Sequence, residues 1–142
     1  MERNSKIVAG VLLITVPTIA IGGTTLLSML IGDASYAQNQ LRHDLWRAGH
    51  AHAGVLVIFS LIILRYVDEM NFGAAIKWFV RFAVPSAAIL MPAAFFLSVL
   101  SPEAISPNAF IYLTYPGAFL IAAGTLTLGI GLIRTKQTET AK

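Results

Sequence analysis

Four long apolar segments, each bounded by charged residues, proline or glycine, dominate the pattern of hydrophobic and polar positions along this chain. They cover about residues 7–31, 45–64, 79–100 and 109–133. A helix needs about 20 apolar residues to cross the hydrocarbon core of a bilayer, and all four segments reach that length. The pattern therefore predicts an all-α fold, a four-helix transmembrane bundle, with residues 1–142 forming a single integral membrane domain.

The first segment has a second interpretation as a secretory signal peptide, because charged residues precede it and Ser-Tyr-Ala at 35–37 resembles a small-residue cleavage site. The hydrophobic region of a signal peptide spans only about 7–15 residues. The segment here is much longer, so we expect a retained membrane anchor.

The basic residues are unequally divided between the two sides that these segments imply. Only Arg42 and Arg47 lie on one side, and the other eight lie on the opposite side: Arg3, Lys6, Arg65, Lys77, Arg81, Arg134, Lys136 and Lys142. Short cytoplasmic flanks carry an excess of Lys and Arg. The division predicts an up-and-down bundle in the plasma (inner) membrane, with both termini in the cytoplasm.

Composition agrees with a lipid environment and excludes several classes of function. Charged residues make up 12% of the chain and hydrophobic residues 56%, whereas a soluble domain carries about 25% charged residues. The net charge of +3 comes from flanking residues and not from a basic stripe, so nucleic acid is not an expected partner. Cysteine is absent, which excludes disulfides and thiolate metal sites.

The three histidines of the chain all lie within ten residues, where the second apolar segment begins. On a helix, His43, Arg47 and His50 share one face, because they are four and three residues apart. His52 points to nearly the opposite face. The sequence predicts a histidine site on the extracytoplasmic side, and it leaves open whether His43 belongs to the helix or to the preceding loop.

Imidazole binds haem iron and copper, and methionine can join it on either. We therefore take His50, His52, His43 and Met29 as candidate ligands of haem, copper or another small molecule. Five further residues are expected on the same side and could support such a site: Arg47, Asp44, Tyr112, Tyr115 and Asn108.

Two other functions remain open. The histidines could pack between helices of a structural or accessory subunit, with Asp44 and Arg47 paired across one helical turn. Ala118 and Ala122 form a small-xxx-small pattern that would allow close packing with a partner, so a homo-oligomer or a larger membrane complex is expected. A small transporter or proton conductor is the third possibility.

The sequence argues against an independent enzyme, and we assign no catalytic residues. The predicted outer side has three acids, Asp33, Asp44 and Glu103, whereas a di-iron carboxylate site needs four Glu and two His. No sequence context typical of a serine nucleophile or a phosphate-binding loop is present.

The run Arg-Ala-Gly-His-Ala-His-Ala-Gly at residues 47–54 resembles that of small, uncharacterised bacterial four-span integral membrane proteins. The likeness extends over most of the chain and implies the four-span fold, but no function. A looser likeness, over about eight residues, is to the histidine-bearing helices of haem–copper oxidase subunits. It implies only that His50 or His52 resembles an axial haem or copper ligand.

Overall fold

The computed structural model describes residues 1–134, and all the regular structure in that range is helical. Five α-helices follow one another: α1 (Arg3–Gly32), α2 (Ala34–Gln38), α3 (Gln40–Tyr66), α4 (Ala74–Leu97) and α5 (Thr114–Arg134). Two 3₁₀ segments, Val67–Glu69 and Ala109–Leu113, extend α3 and precede α5. Lys136 and Lys142, which contributed to the charge count, lie outside the described residues.

Four of these helices are long and apolar enough to cross a membrane, as predicted: Arg3–Gly32, Gln40–Glu69, Ala74–Leu97 and Ala109–Arg134. Helices α3 and α4 each begin about five residues earlier than predicted, at Gln40 and Ala74. Asn39 caps α3, because its side-chain oxygen accepts a hydrogen bond from the backbone N–H of Arg42 at 3.1 Å. His43 therefore lies on the helix, which settles the point that the sequence left open.

A short helix, α2, occupies the segment that was expected to be a loop. The Asp33 carboxylate accepts hydrogen bonds from the backbone N–H groups of Ser35 at 2.9 Å and Tyr36 at 3.2 Å. The Ser35 hydroxyl also donates to this carboxylate, and together these bonds lower the pKa of Asp33, the side-chain bond from Ser35 most of all. Five residues are too few to show a helical period in the sequence, which is why α2 was missed.

The helices pack in chain order, with α3 between α1 and α4, and α4 between α3 and α5. One apolar cluster joins α3, α4 and α5 and includes Leu56, Val84 and Leu128, while a smaller cluster joins Leu12 of α1 to Val57 and Leu64 of α3. In the most apolar stretch of 18 residues of each helix, 39% of the residues are buried in α4 but only 6% in α1. Helix α4 is therefore central, and α1 contacts the rest of the protein along a narrow face.

Close packing of α5 on α4 and on the segment just before α4 depends on three glycines spaced seven residues apart. A Cβ atom added at Gly117, Gly124 or Gly131 would lie within 2.8 Å of a side-chain atom of Met91, Ala83 or Met70. The predicted small pair, Ala118 and Ala122, is exposed instead. The close approach of α5 to α4 is thus made by a different set of small residues from the one that the sequence pattern suggested.

Candidate functional site

A groove between α1 and α3 contains three of the predicted polar residues. His43, Arg47 and His50 line one wall, as their spacing on one helix face predicted. Helix α1 supplies Gly23 and three leucines, Leu26, Leu27 and Leu30, and α2 supplies Tyr36. We call this space, of about 540 Å³, the histidine groove.

His50 lies directly against α1 because glycine occupies the facing positions. A Cβ atom at Gly23 would lie 2.9 Å from Nε2 of His50, and one at Gly22 would lie 3.8 Å from Nδ1. Glycine thus leaves the room that the imidazole ring occupies between the two helices. The ring lines the groove and makes no hydrogen bond with any other residue of the range 1–134.

Tyr36 provides a buried polar atom that sequence reasoning did not select. Its side chain is 1% exposed, with its ring edge-on to His43 at 5.7 Å and tilted against Trp46 at 5.5 Å between centroids. The hydroxyl has no hydrogen-bond partner among the described residues. Burial raises the pKa of this phenol, with Arg47 and Arg42 acting in the opposite direction. A buried hydroxyl without a partner costs about 1–3 kcal/mol, so the group needs an explanation.

The two arginines at this end of the protein have different environments. Arg42 is buried; its Nε donates to the backbone oxygen of Val99 at 3.1 Å, and its guanidinium lies 4.6 Å from the ring centroid of Trp46. Trp46 Nε1 donates to the backbone oxygen of Phe96 at 3.2 Å. Arg42 and Trp46 thereby satisfy carbonyls at the C-terminal end of α4, a structural role that the sequence did not reveal.

Arg47, in contrast, is exposed at the groove and forms no ion pair within the described part of the chain. The expected pair with Asp44 is absent. Instead, the amide of Gln40 donates to both carboxylate oxygens of Asp44 at 2.8 Å, and Nδ1 of His43 lies 3.8 Å from Oδ1. The guanidinium of Arg47 is therefore free to bind an acceptor.

His52 faces α4 and not the groove. Its Nδ1 lies 2.7 Å from the backbone oxygen of Ala48, and its ring packs on Phe95 with centroids 4.9 Å apart. The sequence expectation that His50 and His52 point to opposite sides of the helix agrees with this geometry. A single site that includes both histidines would need a large rearrangement.

The other predicted site residues lie elsewhere. Met29 is on α1 but is not among the residues that line the groove. Tyr112 and Tyr115 are exposed at the start of the fourth span and stack on each other at 6.2 Å, while Asn108 donates to the backbone oxygen of Leu97 and caps the 3₁₀ segment. Within residues 1–134, no group of three or more His, Asp or Glu side chains is arranged to hold a metal ion.

A second polar cluster, which we call the arginine cluster, lies at the opposite end of the helices. Arg81 of α4 is 1% exposed and donates to Asp68 Oδ1 at 2.8 Å, to Glu2 Oε2 at 3.0 Å and to the Ser5 hydroxyl at 2.9 Å. Asp68 also accepts from Ser5 and from the backbone N–H of Glu2. Lys77 donates to the backbone oxygen of Asp68. These bonds tie the start of α1 to α4 and to the 3₁₀ segment after α3.

The chain matches no protein-family profile, no curated protein and no solved structure. The geometry of the chain separates a polar cluster whose groups bond to one another, the arginine cluster, from a groove in which Tyr36 Oη, Arg47 and His50 have no polar partner among the described residues.

Proposed function

We propose that this chain is an integral membrane binding protein that holds a small amphipathic molecule in the histidine groove. The observation that carries the proposal is the buried, unpartnered hydroxyl of Tyr36, a residue that lines the same groove as Arg47 and His50, whose side chains are unpaired within residues 1–134. Buried polar groups in folded proteins are almost always hydrogen-bonded. A ligand acceptor in the groove would supply the missing partner.

The composition of the groove supports a ligand with two chemically different ends. Its polar groups come from α2 and α3, and its apolar wall consists of Leu26, Leu27 and Leu30 of α1. Sites for small molecules commonly measure about 300–1,000 Å³ and combine an apolar lining with a few polar groups. A volume of about 540 Å³ lies within that range.

The proposal includes a topology. In an up-and-down arrangement with both termini in the cytoplasm, the arginine cluster lies at the cytoplasmic face of the plasma membrane and the histidine groove at the extracytoplasmic face. The basic flanks of the four helices support this orientation. The ligand would then enter from the outer leaflet or from the space outside it.

Haem also has an apolar body and an acidic edge, and His50 could provide an axial nitrogen to its iron. Copper alone has less support, because Met29 does not line the groove and His52 is bonded on the other face of α3. A Soret band in the purified protein would identify haem as the occupant.

Native mass spectrometry of the protein, extracted from its membrane in mild detergent, tests the binding function. We compare wild type with Leu27→Trp, which fills the groove, and with Leu13→Trp as the control. Both leucines lie on α1 and both are 56% exposed, but only Leu27 lines the groove. We expect a bound small molecule in wild type and Leu13→Trp, and its loss in Leu27→Trp. A bound small molecule of equal abundance in all three proteins, or no bound molecule in wild type, would refute the proposal.

A further inference from the structure

We infer that the ligand of the histidine groove is a phospholipid with a net negative head group, whose phosphate binds between Arg47, His50 and the hydroxyl of Tyr36. The inference rests on the proposed function and specifies the chemical class of the ligand. Its basis is the charge of the groove, the lack of partners for its donors, and the depth of Arg47 in the membrane.

The groove has a positive charge that nothing in its lining neutralises. Arg47 is a permanent cation, and no Asp or Glu belongs to the groove's lining. The nearest acid along the helix, Asp44, already accepts two bonds from Gln40. A neutral ligand would leave the guanidinium without a counter-charge, whereas a phosphate monoanion would provide one.

The donors of the groove match a phosphate group. Guanidinium binds phosphate oxygens through charge-assisted hydrogen bonds, often two in parallel. The phenol of Tyr36 and a ring N–H of His50 can each donate one more hydrogen bond. Three residues whose donors lack partners within the described residues thus line one groove, and a phosphate has enough oxygens to accept from all of them.

The depth of Arg47 agrees with a lipid head group. Helix α3 has 27 residues, so it is about 40 Å long and exceeds the hydrocarbon core of about 30 Å. Arg47 lies seven residues from the start of α3, within about 5 Å of the core boundary when the helix is centred in the bilayer. Leu26, Leu27 and Leu30 lie on the neighbouring wall, at the depth of Arg47 and His43, because Gly23 of the same helix faces His50.

The test measures lipid occupancy by native mass spectrometry after delipidation and titration. The probes are phosphatidylglycerol and phosphatidylcholine with the same acyl chains, and inorganic phosphate in molar excess as a competitor. Arg47→Gln is compared with Arg65→Gln, which removes the same charge near the other end of α3, where Arg65 pairs with Glu69. Thermal unfolding of each variant in detergent confirms that it is folded.

We expect wild type and Arg65→Gln to prefer phosphatidylglycerol, and Arg47→Gln to lose about tenfold in affinity for it, the size of effect expected for one charge-assisted hydrogen bond. Tyr36→Phe should weaken the same lipid by a smaller factor and leave phosphatidylcholine unchanged. Equal affinity of wild type for both lipids would overturn the inference. Displacement of phosphatidylglycerol by inorganic phosphate would overturn the assignment to a lipid.

These outcomes are distinguishable from failure of the proposed function. If Leu27→Trp lowers the occupancy of both lipids equally and Arg47→Gln lowers neither selectively, the groove binds amphipathic molecules but does not select anions. If Leu27→Trp binds both lipids as wild type does, the binding function itself is refuted.

Discussion

The arginine cluster and the histidine groove lie at opposite ends of the same helices, and each contains a buried polar side chain. In the arginine cluster, the guanidinium of Arg81 bonds to Asp68, Glu2 and Ser5, and these residues bond to one another. In the histidine groove, the hydroxyl of Tyr36 has no partner among the described residues. One cluster is complete within the chain, and the other contains a hydroxyl for which the proposed ligand would supply a partner.

The comparison shows why burial alone does not identify a functional site in a membrane protein. Arg81 is an ionisable residue in a helix that can span a membrane, and such residues often mark function. Here its bonds explain it as a structural tie between helices. The proposed ligand site is therefore based on the unsatisfied groups of the histidine groove, and not on the most buried charged side chain.

Removal of the charge from the arginine cluster should have the largest effect on stability. Replacing Arg81 with Leu leaves the carboxylate of Asp68, whose side chain is 10% exposed, without its main partner. We expect a loss of about 3–5 kcal/mol in the free energy of unfolding, as is typical when one member of a buried ion pair is removed. Chemical unfolding in detergent, followed by circular dichroism, measures it. Arg47→Leu is the control and should change stability little; equal losses in both variants would contradict the comparison.

Substitution of the glycines at helix contacts should have the second largest effect on the free energy of unfolding. A Cβ at Gly124 would lie 2.8 Å from the Cβ of Ala83, which cannot turn aside, so α4 and α5 must move apart. We expect Gly124→Ala to lose about 1–3 kcal/mol of unfolding free energy.

Two matched variants complete that measurement. Gly23→Ala should cost less, because its Cβ meets the end of the His50 side chain, which can shift into the histidine groove. Gly129→Ala has nothing within 4 Å, and it should gain up to about 1 kcal/mol from the better helix propensity of alanine. A larger loss at Gly23 than at Gly124 would show that the α1–α3 contact is the tighter one.

A smaller loss of unfolding free energy is expected when Trp46, which has a hydrogen-bond partner at the histidine end of the protein, is replaced. Trp46→Phe removes the donor to the backbone oxygen of Phe96, and we expect a loss of about 1 kcal/mol in the same unfolding assay. Leu100→Ala, on an exposed leucine just beyond α4, serves as a control that removes apolar area without a hydrogen bond. No loss in Trp46→Phe would mean that water satisfies this carbonyl as well as the indole does.

The smallest effect on stability is expected for Tyr36→Phe. Since the hydroxyl has no partner in the described protein, its removal from delipidated protein should be neutral or stabilise it by up to about 1 kcal/mol. With phosphatidylglycerol present, the same substitution should remove part of the thermal stabilisation that the lipid provides. A clear loss of stability without lipid would show that the hydroxyl is already bonded, and the contrast with the arginine cluster would disappear.

Helical periodicity predicted correctly which of the candidate side chains share a face of α3. His43, Arg47 and His50 share a wall of the groove and His52 does not, because positions on one helix follow from residue spacing alone. Tyr36 could not be selected in this way, since it belongs to a five-residue helix without a detectable period. The contact of His50 with Gly22 and Gly23 joins two helices, and no pattern within either segment reports it.

The sequence by itself determined that the chain forms four long apolar helices, and which side chains share a face of each helix. Both are local properties, since the length of an apolar run and the rotation per residue depend on neighbouring positions along the chain. The tertiary structure decided which helices are neighbours. It therefore decided that Arg81 finds its counter-charges at the start of α1 and after α3. It also decided that Tyr36 and Arg47 line one groove, where the Tyr36 hydroxyl and the Arg47 guanidinium have no partner within residues 1–134. Those pairings depend on how α1, α3 and α4 pack together, because only that packing brings residues far apart in the chain within bonding distance.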